Sequence, residues 1–180
     1  MKKEIPVSKA NRLINDGPVL LVSLLYNHKP NIFTVAWNMP VSNQPLCVAI
    51  ASGFKNYSTK GIKESCEFVI NIPDQKLKEQ VIGCGSASGR DIDKFQKFNL
   101  KALPSKTVHA PGIEECIGHL ECIVSKSIDH IDHTIFIAKV VSAQVDEDKW
   151  DFQNNVWIPE KSLSLHHLGG KFFSVIQKIV

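Results

Sequence analysis

Short apolar runs separated by turn-forming residues dominate the first half of the chain. Their length and polar boundaries are typical of β-strands rather than of helices. We predict strands over 19–26, 31–37, 46–52 and 67–72. A turn through His28-Lys29-Pro30 joins the first two strands.

The second half of the chain contains two longer strand patterns, over 115–127 and 133–146. The later one alternates in the way that a strand with two distinct faces does. One face carries Thr134, Phe136 and Ala138, and the other carries Ile135, Ile137 and Lys139.

The predicted helices are short. We expect one over 8–15, ended by Gly17-Pro18, and one over 58–63. Asp74 is placed to cap a third helix over 75–82. The segment 99–112, which contains two prolines, is predicted to be a loop.

The strands follow one another too closely for repeated βαβ units. No G-x-G-x-x-G sequence follows the first strand, which argues against a doubly wound dinucleotide-binding fold. We therefore predict a mainly β, mostly antiparallel fold with short helices, as a closed or split barrel. The length of 180 residues fits a single domain over 1–180.

Charge and composition exclude several classes of partner. The net charge is +3, with 21 basic and 18 acidic residues that are well mixed and form no basic stripe, so nucleic acid is not expected. No stretch reaches membrane-spanning length, and no secretory signal is recognisable, so no membrane partner is expected. The five cysteines are an odd number, which favours a reduced, cytoplasmic location. Cys84 is the one thiol that we expect to be exposed, since it lies among glycines.

Residues 83–95 carry the clearest sign of a binding site. Ser88 and Asp91 fit the capping pattern [ST]-x-x-[DE] directly after a glycine-rich segment, and apolar residues then recur at helical spacing. The N–H groups at a helix start attract an anion, and Arg90 and Lys94 add positive charge. The pattern predicts a phosphate-binding corner. The alternative is an ordinary capped surface helix with solvated Arg90 and Lys94.

The remaining candidate constellations are weaker. Cys116, His119 and Cys122 do not share one face of a strand, and no second ligand pair completes a zinc site, so no metal is expected. Asp132 and His133 fall in a predicted hairpin turn, where the ordinary interpretation is solvated polar side chains. No nucleophile motif or phosphate-binding Walker sequence occurs.

Taken together and in order, several segments resemble the flavin reductase-like family, and within it the flavoredoxin-type proteins. The matching segments are FTVAWNMPVS (33–42), LCVAIAS (46–52), NYSTKGI (56–62), EFVINIP (67–73), CGSASGRDIDKF (84–95), LECIV (120–124), DHTIFIAKV (132–140) and LHHLGG (165–170). The resemblance implies an antiparallel, Greek-key-like split β-barrel that binds FMN, a homodimer with the flavin near the subunit interface, and cytoplasmic electron transfer.

The resemblance also implies site residues. The flavin ring would lie against the strand end formed by Thr34, Val35, Ala36 and Trp37, with Ser52 on the next strand. The phosphate would be held by two segments, which contribute Asn56, Tyr57 and Ser58 from one side and Ser86, Ser88, Arg90, Asp93 and Lys94 from the other. Asn56 and Ser58 replace a basic residue and a threonine of the family pattern. His133 matches a Gly-Asp-His turn in which Ile131 replaces the glycine, and it is the candidate catalytic residue, as a nicotinamide contact or a proton relay.

The implied function is an oxidoreductase that passes electrons from NADH or NADPH through FMN to an acceptor. One alternative is a non-catalytic FMN electron carrier that works between redox partner proteins, since no nicotinamide motif is recognisable. The other is a binding or structural barrel without flavin.

Overall fold

The computed structural model describes residues 2–178. Its strands are β1 (Gly17–Pro18), β2 (Leu20–Tyr26), β3 (Lys29–Val35), β4 (Asn38–Asn43), β5 (Leu46–Gly53), β6 (Glu67–Ile72), β7 (Ala102–Leu103), β8 (Gly112–Ile113), β9 (Gly118–His130), β10 (His133–Val145), β11 (Trp150–Asp151), β12 (Val156–Trp157), β13 (Leu165–Gly169) and β14 (Phe172–Val175). Its α-helices are α1 (Tyr57–Ser65), α2 (Lys78–Ser86), α3 (Lys94–Lys97) and α4 (Pro159–Ser162), and single 3₁₀ segments cover Val7–Leu13, Gln75–Leu77 and Glu147–Lys149.

Seven strands form one antiparallel sheet in the order β3-β2-β6-β9-β10-β5-β4. Its two edge strands, β3 and β4, are consecutive in sequence and are joined by Ala36 and Trp37. The backbone N–H of Ala51 on β5 donates to the Trp37 carbonyl oxygen at 2.9 Å, so the two ends of the sheet approach each other. The sheet is therefore a curled, incompletely closed barrel.

Strand β2, next to the edge strand β3, is buried on both faces. Leu20, Val22 and Leu24 point into the barrel interior. Leu21 points to the opposite side, into a second apolar layer that α2 and β13 cover. A strand covered on both faces appears in sequence as a nearly continuous apolar run, and 20–25 is such a run, with Ser23 as its one polar residue.

The predicted elements mostly match the structure. Asp74 caps the segment that leads into α2, because its Oδ1 accepts a hydrogen bond from the backbone N–H of Lys76 at 2.8 Å. Thr134, Phe136 and Ala138 are all buried on one face of β10, as their alternation predicts. The edge strand β4 was not predicted, since its sequence, NMPVSN, is largely polar and its formation depends on pairing with β5.

The helix predicted to begin at Ser88 is wrong. Gly83 to Ser86 form the last turn of α2, and the next helix begins only at Lys94. Asp93 is its N-cap, since Asp93 Oδ1 accepts a hydrogen bond from the Gln96 N–H at 3.1 Å. The Ser88 hydroxyl instead accepts from the Arg90 N–H within the connecting loop, at 3.2 Å.

Among residues 2–178, no helix is long and apolar enough to cross a membrane.

Two carboxylates hold the loop over 104–111 against the sheet. Glu121 on β9 is 2% exposed and accepts hydrogen bonds from three consecutive backbone N–H groups, of Lys106, Thr107 and Val108, at 2.6–3.2 Å. Glu67 on β6 does the same for His109 and Ala110. Burial alone would raise the pKa of Glu121, but the backbone hydrogen bonds outweigh it and lower the pKa.

Glu121→Gln is expected to lower the free energy of unfolding at neutral pH by about 1–3 kcal/mol, because the amide nitrogen cannot accept from an N–H group that the carboxylate satisfies. A carboxyl group whose folded pKa is depressed stabilises above its unfolded pKa and loses that contribution as the pH falls through the folded value. The difference between the two proteins should therefore shrink as the pH is lowered below the ordinary value of 4.5. Urea unfolding at several pH values measures it, and a pH-independent difference would contradict the role of the charge.

Candidate functional site

A polar cavity of about 270 Å³ lies where α1 begins and α2 ends. Its walls come from the end of β3, from the first turn of α1 and from the segment that connects α2 to α3. The lining residues are Phe33, Thr34, Asn56, Tyr57, Ser58, Cys84, Gly85, Ser86, Ala87, Ser88, Gly89 and Lys94. The two segments predicted to hold a phosphate, 56–58 and 86–94, thus meet around one cavity.

Lys94 provides the positive charge of this cavity. Its side chain is 2% exposed, and its Nζ donates to the Cys84 carbonyl oxygen at 2.7 Å. No carboxylate of residues 2–178 lies within 4 Å of it. Burial lowers the pKa of Lys94, and the nearby Cys84 opposes that effect. An ammonium group has three donors, so two remain for a ligand after the bond to Cys84.

The first turn of α1 adds backbone donors. Its N-cap residue, Asn56, makes no side-chain capping hydrogen bond. The side chain of Asn56 therefore leaves the first backbone N–H groups of the helix unsatisfied. These groups carry a partial positive charge and lie on the wall formed by Tyr57 and Ser58. The helix start that faces the cavity is therefore that of α1. The glycine-rich segment contributes the C-terminal end of α2 instead, where Lys94 satisfies one carbonyl group.

A second cavity of about 270 Å³ adjoins the first. Both are lined by Thr34, Gly85 and Ser86, so together they form one groove along the edge strand β3. The second cavity is also lined by Val19, Ala36, Val81, Ile82, His167, Gly170, Lys171 and Phe173. The Thr34 hydroxyl donates to the Val81 carbonyl oxygen at 2.6 Å, which fixes α2 against the groove.

Several predicted site residues lie away from the groove lining. The Val35 side chain is buried in the barrel interior. Ser52 is buried behind α1, where its hydroxyl accepts from Thr59 at 2.8 Å. Arg90 is exposed, with its guanidinium carbon 5.9 Å from the centre of the Tyr57 ring, and Asp93 is exposed as the cap of α3. Cys84, expected to be exposed, is buried, and this burial raises the pKa of its thiol to about 11, with Lys94 opposing the effect.

Trp37 and His133 form a separate pair at the end of the groove strand. Their rings stack with centroids 4.8 Å apart and an angle of 28° between planes. His133 Nδ1 donates to Asp132 Oδ1 at 2.7 Å, since a carboxylate can only accept. This hydrogen bond lowers the pKa of Asp132. In the neutral ring, Nε2 of His133 is therefore left as an acceptor.

Sequence reasoning assigned no role to the C-terminal hairpin β13–β14, which supplies His167 and Phe173 to the groove. The segment LHHLGG was part of the family resemblance, and that was the available signal. Within residues 2–178, no group of three or more His, Cys, Asp or Glu residues is arranged to hold a metal ion.

A family model described as "Flavin reductase like domain" matches residues 12–166. The chain belongs to the flavin reductase-like family. The uncharacterized protein YddH of Escherichia coli (strain K12) is 30% identical to it over 184 aligned residues, which cover 96% of this chain and 95% of YddH. An uncharacterized protein of Archaeoglobus fulgidus is 37% identical over 113 residues. That match covers 63% of this chain and 64% of the Archaeoglobus protein, less than two thirds of its length.

Solved structures share the fold of this family member. Flavoredoxin of Desulfovibrio vulgaris (Miyazaki F) has a TM-score of 0.90 and 24% identity, covering 100% of this chain and 96% of flavoredoxin. An FMN-binding protein from Thermus thermophilus with bound 1-cyclohex-2-enone has a TM-score of 0.87 and 19% identity, covering 100% and 97%. The 2-nitrobenzoate 2-nitroreductase NbaA of Pseudomonas fluorescens has a TM-score of 0.85 and 22% identity, covering 99% and 94%. The predicted split-barrel fold is confirmed.

Proposed function

We propose that this protein is an FMN-binding oxidoreductase that passes electrons from NADH or NADPH to an acceptor. The observation that carries the proposal is the buried ammonium group of Lys94, which has no carboxylate within 4 Å among the described residues and lines a polar cavity. A buried charge is costly unless it is paired. A phosphate group is a counter-ion of the right charge and size for the cavity, and the first turn of α1 supplies further donors.

The groove fits the rest of FMN as well. Beyond the phosphate cavity, the second cavity has Ala36, Val81 and Phe173 in its walls, which suits a flat, largely apolar ring. FMN, when bound, supplies the hydride-accepting and electron-donating chemistry, so the chain needs no nucleophile of its own. Thr34 and Ser86 lie at the junction between the two cavities and would contact the sugar-like chain between phosphate and ring.

In this proposal His133 assists proton transfer or contacts the nicotinamide. Asp132 holds the imidazole with its Nδ1 protonated, and the stacked Trp37 fixes the plane of the ring. Trp37 follows Ala36 directly, so the pair lies at the end of the strand that lines the groove. His133 Nε2 is then the ring nitrogen left free to accept or return a proton.

We further propose a homodimer in the cytoplasm. Apolar side chains remain exposed on the edge strand β4 and at the start of β5, including Met39 and Leu46, which line a cavity of about 520 Å³. The N-terminal segment also exposes Leu13 and Ile14. A second copy of the chain would cover such a surface. All five cysteines are free, which supports a reducing compartment.

Lys94→Gln is expected to weaken FMN binding by about 1.5–3 kcal/mol, the range for a hydrogen bond to a charged group. Riboflavin, which lacks the phosphate, should be affected much less. Quenching of flavin fluorescence measures both affinities. Lys101→Gln is the matched control, because it removes the same charge from an exposed side chain. Arg90→Gln should have a smaller effect than Lys94→Gln, since its guanidinium group is solvated above Tyr57. Equal losses for FMN and riboflavin would refute the phosphate assignment.

Anaerobic addition of NADH or NADPH to the FMN-loaded protein is expected to bleach the visible flavin spectrum. His133→Gln should slow this bleaching while leaving FMN affinity unchanged, because the side chain lies outside the phosphate cavity. If neither nicotinamide bleaches the spectrum but a chemical reductant does, the protein is an FMN electron carrier that exchanges electrons with partner proteins. The missing nicotinamide motif is the observation that favours that second function.

Light scattering at micromolar concentration is expected to give twice the chain mass of 20.1 kDa. Met39→Glu should shift the species toward monomer, because a charge would be buried in the proposed interface. Val156→Glu is the control, because Val156 is also exposed but lies outside that surface, so this variant should stay dimeric. A flavin-loaded monomer of the unmodified chain would show that the dimer proposal is wrong.

A further inference from the structure

Asn31 joins two walls of the phosphate cavity from behind. This residue of β3 is 4% exposed and does not line the cavity itself. Its Nδ2 donates to the hydroxyl oxygen of Ser58 at 2.9 Å, and Ser58 lies on the α1 wall. Gly89, on the opposite wall, packs so closely that an added Cβ would stand 2.0 Å from Asn31 Oδ1. One buried side chain therefore contacts both phosphate-facing segments.

The direction of the Asn31–Ser58 hydrogen bond determines what Ser58 offers to a ligand. An amide nitrogen can only donate, so the Ser58 oxygen is the acceptor in this bond. Its own hydroxyl hydrogen remains available, and the side chain lines the cavity. A phosphate dianion has only acceptor atoms, so it requires a donor of this kind.

The other amide atom of Asn31 has an unusual environment. Within residues 2–178, the buried Oδ1 has no hydrogen-bond donor. Buried polar atoms without partners are rare and costly. The same oxygen lies against Gly89. Any larger residue at position 89 would clash with Asn31, so only glycine allows the loop to lie this close to the cavity.

We propose that Asn31 is a positioning residue that makes the cavity selective for a phosphomonoester. It does so by presenting the Ser58 hydroxyl as a donor and by fixing the Gly89 wall at close range. The inference rests on the proposed phosphate-binding function. Without Asn31, the Ser58 oxygen loses the amide donor that orients its hydroxyl group, and Gly89 loses its contact with that side chain.

The test is the ratio of FMN affinity to riboflavin affinity, measured by quenching of flavin fluorescence. Asn31→Ala is expected to lower this ratio about 10-fold, the effect of one lost hydrogen bond to a charged group. Asn31→Asp should lower it further, because a carboxylate forces Ser58 to donate away from the cavity and adds a negative charge.

Asn71→Ala is the matched control. Asn71 is also fully buried, and its Nδ2 also donates to a serine hydroxyl, that of Ser23, at 2.9 Å, but neither residue lines the cavity. This variant should lose thermal stability, as Asn31→Ala does, while its FMN-to-riboflavin affinity ratio stays that of the unmodified protein.

Gly89→Ala reaches the same contact from the loop side. The φ angle of Gly89 lies outside the left-handed region, so alanine is acceptable to the backbone and its clash is with Asn31. Gly89→Ala alone should lower the affinity ratio. Added to Asn31→Ala, it should cause little further loss, because the clashing side chain is already gone.

The outcomes separate the two proposals. If the unmodified protein binds FMN no more tightly than riboflavin, the phosphate-binding function itself is wrong. If the unmodified protein is selective and Asn31→Ala remains equally selective, only the role of Asn31 is overturned. The role of Asn31 is also overturned if Asn71→Ala loses selectivity as Asn31→Ala does. It is overturned as well if the losses of Gly89→Ala and Asn31→Ala are additive in the double variant. If Asn31→Ala does not fold, Gly89→Ala alone decides.

Discussion

Strand β2 carries large apolar side chains on both faces, and both faces have to be removed from water. The curled sheet covers one face by enclosing the barrel interior. The other face requires a second layer, which α2 and the C-terminal hairpin provide. Because α2 must lie across β2 and the neighbouring edge strand β3, its C-terminal end reaches that edge, where the groove forms. The position of the candidate site is thus a consequence of how the hydrophobic layers are completed.

The fold treats backbone N–H groups in two opposite ways. In the loop over 104–111, Glu67 and Glu121 satisfy five N–H groups, and the loop is held closed. At the start of α1, the N-cap side chain satisfies none, and the adjacent charge is a buried cation instead of a carboxylate. The first arrangement stabilises the chain by itself. The second leaves donors directed at a cavity, which is the arrangement of an anion site.

Lys94 connects folding and binding in the same side chain. Its ammonium group neutralises part of the negative end of α2 through the Cys84 carbonyl, and the side chain is buried in the folded chain. The remaining positive charge is only partly compensated within the protein. In the proposed function, a phosphate ligand would complete that compensation, so the site is expected to gain stability when it is occupied.

The sequence by itself determined most of the strand pattern and the Asp74 cap, because these depend on local periodicity and on short-range hydrogen bonds. The glycine-rich motif and the family resemblance indicated the two segments that line the cavity. Tertiary structure decided the rest. Gly83 to Ser86 stay helical despite their glycines because Cys84 packs into the second apolar layer. Lys94 is buried and Arg90 is solvated, although the two residues belong to one motif. The difference depends on how the loop that carries them packs against β3 and α1, which the motif itself does not specify. Strand β4 forms because its backbone pairs with β5. Asn31 contacts Ser58 and Gly89 only because the fold brings these segments, distant in sequence, together. Burial and long-range contact are properties of the assembled sheet, and local sequence carries little information about them.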